Sequence, residues 1–134
     1  MKLQWNDDLA IDIEDIDEQH KEIFKRVNNL LDAMKGNSEK EEVSKILNYL
    51  ARYVVDHFHA EECIMIKHNY SSYKNHKDEH ILFTKDFSEL ERDYEKYGVT
   101  PELLQQIQWR LCNWLLDHIS KEDKKIGLFL KKKH

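Results

Sequence analysis

Residues 50–65, LARYVVDHFHAEECIM, decide the fold. Leu50, Val54, Phe58 and Met65 fall at the three-and-four spacing of one helical face, and His57 and Glu61 fall on that same face. The stretch is an amphipathic helix that carries an imidazole and a carboxylate inside its apolar stripe. Val43, Ile46 and Leu47 extend the stripe backward. Three further stripes flank it: Ile16, Ile23, Phe24, Val27, Leu30, Leu31 and Met34; then Phe83, Phe87, Leu90 and Tyr94; then Leu104, Ile107, Leu111 and Leu115.

Turn chemistry separates the stripes at three places. Gly36-Asn37-Ser38 closes the first helix, with Ser38 and Glu41 spaced as a capping box for the second. Asn69-Tyr70-Ser71-Ser72 makes the next turn. At Gly98-Val99-Thr100-Pro101 the glycine closes a helix, the threonine caps the next, and the proline takes its first position. Helices of roughly 18–20, 30, 25 and 19 residues result, followed by a short amphipathic piece from Ile126 to Leu130. Connections this short make successive helices antiparallel neighbours. The expected fold is all-α: one domain over residues 1–134, an up-down-up-down four-helix bundle with a short C-terminal helical segment. With only 3 Gly and 1 Pro the chain has few helix breakers, which agrees.

A net charge of −5 leaves no basic surface for nucleic acid. The one cationic run, Lys131 to Lys133, reads as a solvated tail beyond the last helical turn. No apolar run is long enough to span a membrane, and the opening MKLQWNDDLA lacks the core of a signal peptide, so a cytoplasmic protein without membrane contact is expected. Cys63 and Cys112 form no Cys-x-x-Cys pair and read as free thiols on or beside the core faces.

The chemistry lies in what interrupts the stripes. His20 sits between Ile16 and Phe24; His57 and Glu61 are one i,i+4 pair and His76 and His80 another; His118 follows Leu111 and Leu115. His59 lies about 200° round its helix from His57 and should face water. His68 is near a helix end, and His134 is terminal. One inward histidine is an ordinary hydrogen-bonded core residue, but five with a glutamate are not. Each buried polar group without a partner costs on the order of 1–3 kcal/mol, against a domain stability of about 5–15 kcal/mol. A bound cation resolves the burden.

The donors fall alternately near the start and the end of successive helices, so antiparallel packing gathers them at one end of the bundle. A seventh donor is expected after His118. Glu122, at i+4, is the geometric choice; Asp123, at i+5, reaches the same face only through a wider turn near Ser120. Imidazole and carboxylate without thiolate suit iron, manganese or zinc. Seven donors exceed one ion's needs, so two ions are implied. With both carboxylates and one solvent oxygen bridging, two octahedral ions retain a single vacancy. Rival sites lack their motifs: there is no Glu-x-x-His, no His-Glu-x-x-His and no Cys-x-x-Cys-His.

At these residues the chain resembles the hemerythrins, in particular their single-domain bacterial members. The resemblance is carried by Asp17-Glu18-Gln19-His20-Lys21, His57-Phe58-His59-Ala60-Glu61-Glu62, His76-Lys77-Asp78-Glu79-His80, and Trp114-Leu115-Leu116-Asp117-His118-Ile119 with Asp123. It implies one iron on His76, His80 and His118, a second on His20 and His57, and bridging by Glu61 and Asp123. It also implies an oxo or hydroxo bridge, diferrous deoxy and diferric oxy or met states, and Leu115 as a wall of the O2 pocket. Reversible O2 binding for carriage, storage or delivery follows, rather than an enzyme activity; no output domain fits in this length. Oxygen or redox sensing, or peroxide or nitric oxide scavenging, would use the same centre. No protein partner is indicated. Asp12 and Ser71 depart from the family's usual glycine and proline, both outside the ligand set.

Overall fold

The computed structural model describes residues 2–133; His134 lies outside the described residues. Four long helices form: α1 (Glu14–Lys35), α2 (Lys40–Lys67), α3 (Tyr73–Tyr97) and α4, which runs over 101–133. Tight connections make each helix antiparallel to the last, giving the expected all-helical bundle. The apolar stripes meet along its axis, and every residue assigned to them is buried except Ile46 and Leu104, which are half-buried. Among the described residues no helix is long and apolar enough to cross a membrane.

The turns show how the sequence stops each helix. After α1 the left-handed residue is Asn37 (φ 58°), not Gly36, and the Ser38 N–H reaches back to the Ala33 carbonyl. This is a Schellman closure built on asparagine, whose short polar side chain tolerates that conformation. Ser38 thus still belongs to the exit from α1. The expected capping box is not formed: Glu39 is the N-cap of α2 and no side chain caps it. Asn69 (φ 55°) repeats the closure after α2, with the Tyr70 N–H on the Met65 carbonyl. Thr100 caps α4 as expected, accepting the Leu103 N–H at 3.0 Å with Pro101 next.

α4 departs from a regular helix. Two of its stretches, Gln108–Asn113 and His118–Asp123, are π-helical, with i→i+5 bonding. The sequence carries the reason. Leu103, Ile107, Leu111, Leu115, Ile119, Asp123 and Gly127 are all buried, one every four residues. On a regular helix each such step drifts by about 40°. Wider π turns cancel the drift and keep all seven residues on one face. Leu103 therefore occupies the core position expected of Leu104. The C-terminal segment, Lys124–Lys133, continues directly from the second π turn. Lys131 to Lys133 belong to its last turn rather than to a tail, and Lys131 is ion-paired with Asp12. Cys112 is buried but Cys63 is exposed, so only one thiol belongs to a core face.

Residues 2–13 run as a strap along α1, from Lys2 paired with Asp32 to Ile11 and Asp12 at the site end of the bundle. Leu3, Leu9 and Ile11 are buried, and the Asn28 carboxamide clamps both the N–H and the C=O of Leu3 at 2.8 Å. Asp17 accepts the N–H groups of Ile11 (2.8 Å) and Asp12 (3.1 Å), which steadies Asp12 in its left-handed conformation (φ 64°). Gly127 lets α4 press against this strap, since a Cβ there would run into the Ile11 backbone carbonyl. Alanine normally stabilises a helix by about 1 kcal/mol over glycine. At this position we expect the reverse: Gly127→Ala should cost about 1–3 kcal/mol through overpacking. Thermal denaturation checks it, and an unchanged or higher melting temperature would contradict the close approach.

Candidate metal centre

The bundle axis carries its polar cluster at the end where α1 and α3 begin. His20 comes from the start of α1, His57 and Glu61 from the end of α2, His76 and His80 from the start of α3, and His118 and Asp123 from the second π turn of α4. Each is at most 3% exposed, and these seven are the only buried polar or charged side chains among the described residues. His59 is exposed, on the far side of α2 from His57. Glu122 turns outward and pairs with Lys125 at 3.3 Å, whereas the π turn brings Asp123 inward with His118. Sequence spacing alone had left those two open.

The donors divide into two groups that could each hold a metal ion: Glu61, His76, His80, His118 and Asp123, and His20, His57, Glu61 and Asp123. The two carboxylates are common to both. Glu61 places Oε1 3.1 Å from His80 Nε2 and 3.4 Å from His76 Nε2, while its Oε2 lies 3.1 Å from His57 Nε2 and 3.2 Å from His20 Nε2. Asp123 Oδ1 lies 3.0 Å from His76 Nε2 and 3.1 Å from His118 Nε2, and Oδ2 lies 3.0 Å from His20 Nε2. Each carboxylate thus spans the two groups with one oxygen apiece.

Three of the imidazoles are held from behind. His57 Nδ1 donates to Gln19 Oε1 (2.7 Å), His80 Nδ1 to Glu62 Oε2 (2.9 Å) and His118 Nδ1 to Glu79 Oε1 (3.0 Å). Neither a carboxylate nor an amide oxygen has a proton to give, so Nδ1 carries a ring proton and Nε2 is the atom turned inward. His80 and His118 then bring Nε2 atoms within 3.2 Å, and His118 and His76 within 3.1 Å. Both Asp123 oxygens are buried without a hydrogen bond despite those close nitrogens. Nε2 atoms converging on two shared carboxylates fit a cation, and the donor set fits a hard or borderline metal. Gln19, Glu62 and Glu79 were missed in the sequence. The available signal was an acceptor side chain next to a predicted donor, at Gln19-His20, Glu61-Glu62 and Glu79-His80.

Apolar rings seal the cluster. Phe58 stacks on His80 with ring centroids 3.8 Å apart, Trp114 stacks on His118 at 4.3 Å, and Phe83 packs against both Phe58 and Trp114. Leu115 is buried in the core that adjoins them.

Without a metal, the charges compensate one another. Burial pushes His20 and His76 down, but the close negative charges of Asp123 and Glu61 overcome it and lift them to about 9 and about 10. His118 is raised by the same contest. For Glu61, burial pushes upward and the surrounding imidazoles, His57 foremost, carry it well below the carboxylate range. Asp123 is likewise lowered, against both burial and the Glu61 charge, chiefly by His118 and His20.

The profile of the Hemerythrin HHE cation binding domain matches residues 11–129. The chain is 38% identical over 112 residues to a Bacteriohemerythrin of Methylococcus capsulatus (strain ATCC 33009 / NCIMB 11132 / Bath), covering 83% of this chain and 82% of that one. It is 32% identical over 121 residues to a Bacteriohemerythrin of Pseudomonas aeruginosa (strain LESB58), covering 90% and 76%. A Hemerythrin-like protein of Naegleria gruberi is 31% identical over 121 residues, covering 90% and 87%.

The electrostatics set a pH dependence for the metal-free protein. A raised histidine stabilises the fold fully below its ordinary 6.5 and loses that contribution as pH climbs through about 9 for His20 and about 10 for His76. The lowered carboxylates contribute fully above their ordinary 4.5 and 3.8, and lose that as pH falls. The melting temperature of the metal-free form should therefore fall between pH 6.5 and 10. Metal affinity should rise over the same range, because binding displaces protons from the histidines. A melting temperature that climbs with alkalinity would refute this charge assignment.

Proposed function

This chain belongs to the hemerythrin family of HHE cation-binding domains, and from that premise we propose that it holds two iron ions and binds O2 reversibly. His76, His80 and His118 would hold one iron and His20 and His57 the other, with Glu61 and Asp123 bridging. When bound, a ferrous pair would supply two electrons to one diatomic ligand. The observation that carries this reading is the division of seven buried donors into three and two imidazoles about two shared carboxylates.

The protein's own groups serve binding better than turnover. Every buried titratable side chain of the cluster is already a donor, which suits the site to holding metal ions and a small ligand. Phe58 and Trp114 lie against cluster histidines, backed by Phe83 and by the core that includes the proposed pocket residue Leu115; this apolar surface would keep bulk water from the metals and slow their irreversible oxidation. His57, fixed by Gln19, and His20, covered by the strap at Trp5 (ring centroids 6.5 Å apart), define the two-histidine side to which we assign the ligand.

The test is an anaerobic oxygen titration of iron-reconstituted protein with metal quantified per chain. Two irons per chain are expected, together with a visible charge-transfer band that forms in air and bleaches under argon. Permanent colour loss with release of free peroxide would instead identify a scavenger or oxidase. His57→Ala should abolish the reversible band and His59→Ala should leave it intact; equal damage from both would overturn the ligand assignment.

A further inference from the structure

The support behind the two clusters is unequal in charge. Behind the three-histidine cluster stand two carboxylates, Glu62 on His80 and Glu79 on His118. Behind the two-histidine cluster stands one neutral amide, Gln19 on His57. Each cluster also has one imidazole whose Nδ1 finds no hydrogen-bond partner, His76 in the first and His20 in the second, so these offset one another. Glu61 and Asp123 give one oxygen to each side. The asymmetry therefore rests on one extra imidazole and on the two backing charges.

We propose that Glu62 and Glu79 are positioning residues that make the three-histidine cluster the first-filled and tighter metal position, while Gln19 keeps the two-histidine cluster the weaker. The inference rests on the two-metal reading above and adds an order of assembly to it. A carboxylate that accepts the Nδ1–H bond draws the proton toward itself and raises electron density at Nε2, the atom facing the metal. The amide of Gln19 fixes the same ring orientation without adding charge. The Glu62 side chain is 16% exposed and that of Glu79 is 39%, so solvent screens Glu79 more and Glu62 carries the larger effect.

The experiment is an anaerobic titration of the metal-free full chain with cobalt(II), followed by its d–d absorption and by competition with a chelator of known affinity. Unaltered protein should fill in two resolved steps. Glu62→Gln should weaken the first step about 10–100-fold and leave the second unchanged, with a smaller effect for Glu79→Gln. Gln19→Glu should tighten the second step by a similar factor and draw the two together. Glutamine keeps the length and the acceptor oxygen of glutamate, so a merely structural role would move neither step; circular dichroism of the metal-free variants verifies folding. An unshifted first step in Glu62→Gln, or equal weakening of both steps, overturns the inference while two-metal binding stands. Fewer than two cobalt ions in unaltered protein overturns the two-metal reading and this inference with it.

Discussion

Seven polar donors have to be buried together at one end of an otherwise apolar core, and the rest of the structure answers to that constraint. The helices satisfy their own backbone groups, so only side chains remain to be matched there. Protonated histidines and ionised carboxylates balance one another in the metal-free cluster. The match is incomplete: His20 Nδ1, His76 Nδ1 and both Asp123 oxygens remain buried without hydrogen bonds. The far end of the bundle, packed with Leu30, Leu31, Leu50, Leu90 and Tyr94, supplies the apolar burial that tolerates such a cluster.

The constraint shapes α4 most. A carboxylate five residues after His118 reaches the cluster only because the backbone widens to i→i+5 bonding over that turn. A second wide turn upstream keeps Leu103, Ile107 and Leu111 in phase with Leu115 and Ile119. Downstream, the same phase delivers Gly127 to the Ile11 carbonyl, where the absence of a side chain allows the N-terminal strap to close. Coordination geometry and strap docking are thus two results of one helical register.

Around the donors runs an outer set of contacts that links neighbouring helices. Gln19 of α1 holds a histidine of α2, Glu62 of α2 holds one of α3, and Glu79 of α3 holds one of α4. Each acceptor adjoins a donor of its own helix. The interhelical hydrogen bonds therefore fix ring orientation, and the Nε2 atoms are aimed inward by the protein before any ion arrives.

Spacing alone made much of this legible. Apolar periodicity and turn residues identify four antiparallel helices, and the positions of His20, His57, Glu61, His76, His80 and His118 within the stripes mark an inward cluster, because on a regular helix sequence distance fixes direction. That logic fails where regularity fails. The choice between Glu122 and Asp123 lay in a π turn, although the four-residue beat from Leu103 to Gly127 held its trace. The Ser38 capping box failed because Asn37 took the left-handed position and shifted the start of α2 by one residue. Pairings across helices, such as Glu62 with His80 or Asn28 with Leu3, depended on rotation and distance between elements that no one-dimensional pattern encodes. Sequence settled which faces are buried, since that is local geometry; only the assembled bundle decided which atoms meet, since that is set by how the helices pack.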